Sequence, residues 1–228
     1  MASNPLNIEI NDESLKGIFE KNPFYIDVKG SINICQIRCG QTFENNNVKL
    51  SSMTNFGKVL VLNPNNKEKI QANIKLAFDS TNDDTDENGN SSYILKKIFF
   101  TVPSFHRVNG TIADFESYIV YASTQKNGNI LYSVICTLYN GSTQLPTNEH
   151  ELLTYKFFDE LFINNNVIPE KFGTKAIKTP DILDLTELIP EKGNQSFYEY
   201  VNPKNPNVNI RIFQNKMSIS NSCIEALK

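Results

Sequence analysis

Short runs of β-branched and aromatic residues, each closed by a turn signal, set the limits on what this chain can fold into. They fall at 58–62, 73–78, 93–102, 115–121, 130–139 and 208–213, and runs of this length and make-up are strands. Between them lie D-D-T-D-E-N-G-N at 83–90, N-G at 109–110, N-G-N at 127–129 and an Asn and Pro run at 202–207, which read as solvated loops. The acidic stretch at 83–87 lacks the ligand spacing of a twelve-residue calcium loop and reads as an exposed turn. One segment carries a helical period. In 149–164 the residues Leu152, Leu153, Phe157, Leu161 and Phe162 recur near a 3.6 spacing, and Thr147 is placed to cap the start. Shorter helices are expected at 186–188 and 222–227. The pattern is a mainly β chain with peripheral helices, an α+β arrangement without internal repeats.

A chain of 228 residues can bury a core without disulfide or metal staples. Its net charge of −3 and pI near 5.5 argue against a protein held to nucleic acid or to an anionic membrane by its overall field. No basic head and apolar run opens the sequence, and no stretch approaches the roughly 18 apolar residues that cross a bilayer. A chain made in the cytoplasm, neither secreted nor inserted in a membrane, is expected. Cys35 and Cys39 would stand about 13 Å apart along a strand. They and Cys136 and Cys223 read as reduced, apolar fillers. The sequons at Asn90, Asn109, Asn140 and Asn194 follow from a chain rich in Asn. That bias, shared with Lys and Ile, points to an AT-rich genome.

Catalytic signatures are absent from the sequence: it has no G-x-S-x-G elbow, no phosphate loop and no H-E-x-x-H. The histidines are His106 and His150 alone. His150, between Glu149 and Glu151, reads as a surface residue.

Five motifs in order carry a family resemblance. Y-I-L-K-K-I-F-F-T-V-P-S from Tyr93 lies without a gap on Y-R-L-x-Q-F-H-F-H-W-G-S, the strand of α-carbonic anhydrases that supplies two zinc-binding histidines. D-F-E-S-Y-I-V-Y from Asp114 resembles the next strand, A-E-L-H-L-V-H, and the spacing from His106 to Glu116 matches that from the family's structural His to its ligand-orienting Glu. G-S-I-N-I from Gly30 resembles Q-S-P-I-N-I. The segment D-L-T-E-L-I-P-E-K-G-N-Q-S-F-Y-E-Y from Asp184 and M-S-I-S-N-S-C-I-E-A-L from Met217 resemble two later motifs. The resemblance implies a central mixed, largely antiparallel twisted sheet over residues 28–228, preceded by an arm at 1–27. Family members continue past I-S-I-S into a threaded final strand, which this chain is expected to lack.

On this alignment the three zinc-ligand positions read Phe99, Thr101 and Tyr118. A phenyl ring offers no lone pair, a threonine hydroxyl is a very weak donor, and a tyrosine must lose a proton with a pKa near 10. The resemblance therefore implies an inactive member, with no zinc and no other cofactor. Glu116 and His106 are retained, with Glu116 deprived of the ligand it would orient. Each is expected to satisfy the other or a backbone amide. Phe105 replaces the Glu that precedes the family's structural His. It and Tyr132, set against a position that is usually Val, are expected to fill the former pocket.

Non-catalytic members of the family act through surfaces, among them a poxvirus envelope protein that binds glycosaminoglycans. The expectation is a structural or interaction component of a large DNA virus particle, with other virion or capsid proteins as partners. The contacts would come from an open sheet edge or from the loop Asn202, Pro203, Lys204, Asn205 and Pro206. The alternative is attachment to a sulfated glycan through Lys96, Lys97, Lys204, Arg211 and Lys216.

Overall fold

The computed structural model describes residues 26–28, 41–45, 47–57, 59–65, 73–77, 90–108, 110–124, 130–178, 182–191, 197–201 and 207–228. In chain order their strands are β1 (Ile26–Val28), β2 (Gln41–Asn45), β3 (Asn47–Asn55), β4 (Val59–Pro64), β5 (Asn73–Ala77), β6 (Asn90–Thr101), β7 (His106–Val108), β8 (Thr111–Ile112), β9 (Phe115–Thr124), β10 (Ile130–Ser142), β11 (Thr174–Ala176), β12 (Ile182–Asp184), β13 (Phe197–Val201), β14 (Val208–Phe213) and β15 (Met217–Ser220). Twelve of them form one sheet along the path β11-β3-β4-β6-β9-β10-β14-β13, with β5 on β6, β2 on β5, β12 on β3 and β15 on β10. The pairs of β10 with β14 and with β15 are parallel, and the other pairs of this sheet are antiparallel. The mixed, largely antiparallel sheet expected from the sequence is therefore present.

Side chains alternate across a strand, and both faces of the central strands are buried. On one face Ile98, Phe100, Phe115, Ile119, Tyr121, Ile135 and Tyr139 join a core with the helices. On the other, Phe99, Tyr118, Val134 and Cys136 join a second, separate cluster. The first is aromatic at its centre. Phe158 stands 5.1 Å from Phe115, 5.3 Å from Tyr139 and 5.7 Å from Phe100 and Phe162, ring centre to ring centre. Such pairs add about 0.5 to 1.5 kcal/mol each beyond the area they bury. The Tyr139 hydroxyl donates to the Leu188 carbonyl at 2.8 Å, fastening β10 to a 3-10 turn at Leu185–Leu188.

Helix α1 (Glu149–Phe158) runs on into a π-helical segment, Asp159–Asn164, and α2 spans Asn221–Leu227. The cap of α1 is Asn148 and not Thr147: the Asn148 side chain accepts from the Glu151 amide at 3.0 Å. Glu149 and Glu151 add negative charge beside the helix's positive end. Leu153, expected on the buried stripe, is 47% exposed, while Tyr155, Phe157, Phe158, Leu161 and Phe162 are buried. His150 is held by the fold: its Nε2 lies 2.7 Å from the Ile189 carbonyl.

Replacing Phe158 with Ala should destabilise the fold by about 3 to 5 kcal/mol, whereas Leu153→Ala should stay within about 0.5 kcal/mol. Urea denaturation of the two variants reads the difference, and equal losses would contradict the packing described.

Candidate functional site

The second face of the sheet is where the candidate residues meet. Cross-strand register sets Phe99 of β6 against Tyr118 of β9, and Thr101 against Glu116. The next ladder sets Tyr118 against Cys136 of β10, and Glu116 against Leu138. Directly opposed residues point to the same side of a sheet, so Phe99, Thr101, Glu116, Tyr118 and Cys136 share one surface. A β7–β8 hairpin stands by this face. It turns through Gly110, whose φ of +75° lies in the region that favours glycine, and Ser104 fastens its base. The Ser104 hydroxyl donates to the His106 carbonyl at 2.8 Å and accepts from the Ala113 amide at 2.9 Å. Beneath it, β1 pairs in parallel with β7, Ile26 against His106 and Asp27 against Arg107. Two residues assigned to the arm from the sequence thus belong to a strand.

Glu116 is the electrostatic centre of this face. It is fully buried, and a buried carboxylate is tolerable only when its lone pairs are occupied. Oε2 accepts from the Phe105 amide at 2.9 Å, the His106 amide at 3.1 Å and the Tyr118 hydroxyl at 2.6 Å. Oε1 bonds His106 Nδ1. The Tyr118 distance is that of a strong, charge-assisted bond. Its ring also lies 5.8 Å from the His106 ring and 6.4 Å from Phe105, centre to centre.

The other positions differ in character. Phe99 and Phe105 are buried in the apolar cluster, and Tyr132 is partly buried against it. Thr101 is buried, and its Oγ1 has no hydrogen-bond partner among the described residues. Cys136 is fully buried; burial, and then the negative charge of Glu116, push its thiol well up from the ordinary range. By its sequence Cys136 reads as an apolar filler. Its approach to His106 and Glu116 depends on the β9–β10 register, for which no local signal exists.

Among the glycan candidates, Arg211 is corrected by the structure. It is buried, with Nε 2.9 Å from Glu199 Oε1 and its guanidinium 5.3 Å from the Phe197 ring centre. The alternation of β14 carries it inward, where the ring and the carboxylate take up its charge. Lys96 is exposed, and Lys97 and Lys216 are partly so. Asn202, Pro203, Lys204, Asn205 and Pro206 lie outside the described residues, as do Cys35 and Cys39.

Removing Glu116 by Glu116→Ala should cost about 3 to 5 kcal/mol, the loss expected when one partner of a buried ionic network is deleted. Tyr118→Phe removes a single donor to that charge and should cost roughly 1.5 to 3 kcal/mol. Denaturant midpoints give both values, and a Tyr118→Phe loss near zero would show that the hydroxyl is not holding the carboxylate.

The sequence matches no protein-family model and no curated protein. The fold does have counterparts among solved structures. An α-carbonic anhydrase from Photobacterium profundum superposes with a TM-score of 0.56 at 16% identity, covering 90% of this chain and 78% of that one. The fungal α-carbonic anhydrase from Aspergillus oryzae gives 0.62 at 17% identity, over 91% and 76%. A carbonic anhydrase from Chlamydomonas reinhardtii, solved with acetazolamide, gives 0.58 at 17% identity, over 90% and 78%. Likeness at these identities speaks for architecture, and the architecture of this chain is the α-carbonic anhydrase fold.

Proposed function

We propose that this protein is a non-catalytic scaffold, an α-carbonic-anhydrase-like domain serving as a structural or interaction component of a large DNA virus particle. The observation that carries the loss of catalysis is the donor set around Glu116. Three neutral imidazoles holding an ion with one position open to water are what let zinc make hydroxide near neutral pH. Phe99, Thr101 and Tyr118, the aligned positions, supply a phenyl ring, a buried hydroxyl and a phenol. That phenol donates its proton to Glu116. The two histidines do not make up the number. His106 is turned onto Glu116, and His150 lies against the Ile189 carbonyl beside α1. A catalytic zinc of the three-imidazole kind does not fit these residues.

The particle assignment draws on different support. The Asn, Lys and Ile bias belongs to AT-rich coding, and a poxvirus protein offers a precedent for this fold working without its metal. Function resides in sites on a fold and not in the fold itself, so an inert sheet remains free to present its edges and loops to neighbouring subunits. Among the described residues no helix is long and apolar enough to cross a membrane, so the contacts envisaged are with other virion or capsid proteins.

Purified protein supplied with excess Zn²⁺ should hydrate carbon dioxide no faster than buffer alone, and turnover above that rate would overturn the non-catalytic reading. Antibody against the chain should detect it in purified particles after a salt wash. Its absence there, with salt-sensitive retention on heparin, would replace assembly by glycan attachment.

A further inference from the structure

Three metal-binding donors converge on the buried face from three different strands. His106 of β7, Glu116 of β9 and Cys136 of β10 are each 0% exposed, and one ligand atom from each lies within 4.8 Å of the other two. A second observation points to the same place. Thr101 stands across the ladder from Glu116 on the same face, 1% exposed, and its Oγ1 has no hydrogen-bond partner among the described residues. A buried hydroxyl of this kind forfeits the hydrogen bonds it made with water, and such orphans in folded proteins often mark a water or an ion.

We propose that His106, Glu116 and Cys136 hold a divalent cation of the zinc class in a closed, structural site, with the Thr101 hydroxyl beside it. Imidazole nitrogen, carboxylate oxygen and thiolate sulfur together suit a borderline-soft ion such as Zn²⁺, whereas Ca²⁺ and Mg²⁺ favour oxygen alone. Glu116 keeps Oε2 on the two backbone amides and gives Oε1 to the cation, which takes the place of the proton between Oε1 and His106 Nδ1. One carboxylate and one thiolate neutralise the dication. On loading, the Cys136 thiol gives its proton to solvent, so affinity rises with pH, and the imidazole proton passes from Nδ1 to Nε2, which frees Nδ1 as the donor. Bonds of about 2.0 to 2.3 Å need His106 Nδ1 and Glu116 Oε1, now in hydrogen-bond contact, to part and admit the ion while the Cys136 sulfur closes on it. The Thr101 hydroxyl, buried on the same face, takes the fourth position as the weakest donor, so no ligand position opens to solvent and the site stabilises the fold. The proposal does not rest on the scaffold reading and uses none of the aligned zinc positions as the principal ligands.

The test is a Co²⁺ titration of the reduced, chelator-treated full chain, using the metal alone. The expected result is one equivalent bound, with a near-ultraviolet thiolate-to-cobalt charge-transfer band and the visible bands of a four-coordinate ion. Cys136→Ala should weaken binding by about 100-fold or more, the upper loss seen even for groups one step removed from a metal. The triple variant Cys35→Ser, Cys39→Ser, Cys223→Ser should keep the band unchanged. Cys136→Val, which fills the space, replaces Cys136→Ala if that variant fails to fold. Zn²⁺ should raise the Tm of the wild type and leave that of the Cys136 variant where it was. Absence of the charge-transfer band in the wild type overturns the proposal, as does a band that survives in the Cys136 variant or disappears in the triple variant. Carbon dioxide turnover plays no part in these readouts, so the two proposals fail separately.

Discussion

A single buried carboxylate organises the candidate face. Glu116 reaches out from β9 to the segment that forms the β7–β8 hairpin, and its two oxygens accept from the Phe105 and His106 amides, the His106 ring and the Tyr118 hydroxyl. An ion of this kind, out of water and unpaired, would cost several kcal/mol. The folded chain tolerates it because the donors come from two elements that only the tertiary structure joins. The same bonds tie the hairpin to the sheet, with Ser104 closing the loop from the other side. Once the loop is seated, Phe105 and Val108 can pack with Phe99, Tyr118 and Cys136 in one apolar cluster.

Much of this was legible in advance, and the legible parts share a cause. The strand at 208–213 and the greater part of β6, β9 and β10 are dense in Ile, Val, Phe and Tyr, because strands buried on both faces have little room for polar residues. β3 is illegible in the sequence for the opposite reason. Its Asn, Lys, Ser and Thr residues hide the inward-facing Val48, Leu50 and Met53. Glu116 and His106 could be paired in advance through the family resemblance, whose spacing they match. Cys136 could not, because it comes from the strand beyond, and register between strands is written in packing and not in local sequence. Arg211 shows a related limit. A charge on an alternating strand looks exposed until a buried partner such as Glu199 is known.

The helix illustrates how neighbouring structure overrides a periodic pattern. Leu152 and Leu153 fit the apolar stripe as well as Phe157 does, yet Leu153 turns outward while Thr154 is buried, its hydroxyl on the Glu187 and His150 carbonyls. The 3-10 turn beside α1 presents backbone carbonyls that need donors. A threonine and the His150 ring meet that need, and a leucine would not. The apolar contribution comes instead from Phe157, Phe158, Leu161 and Phe162, over the aromatic centre of the sheet.

The two faces of the central strands pack into separate side-chain clusters, and this bears on how such a fold can change its chemistry. Phe100 and Phe115 point to the helix-covered core, while their immediate neighbours Phe99 and Glu116 point to the other cluster. Contacts on one face therefore share few side-chain partners with contacts on the other. The helix-covered face carries the larger cluster and the stacked rings, so it can sustain the architecture while residues one position along the same strands are exchanged. What must survive on the site face is narrower: an acceptor for the Phe105 and His106 amides. Glu116 supplies it whether or not a metal lies nearby, because those amides are buried in either case. The Glu116 carboxylate is thus held in place by a folding requirement, and its presence alone carries no information about catalysis.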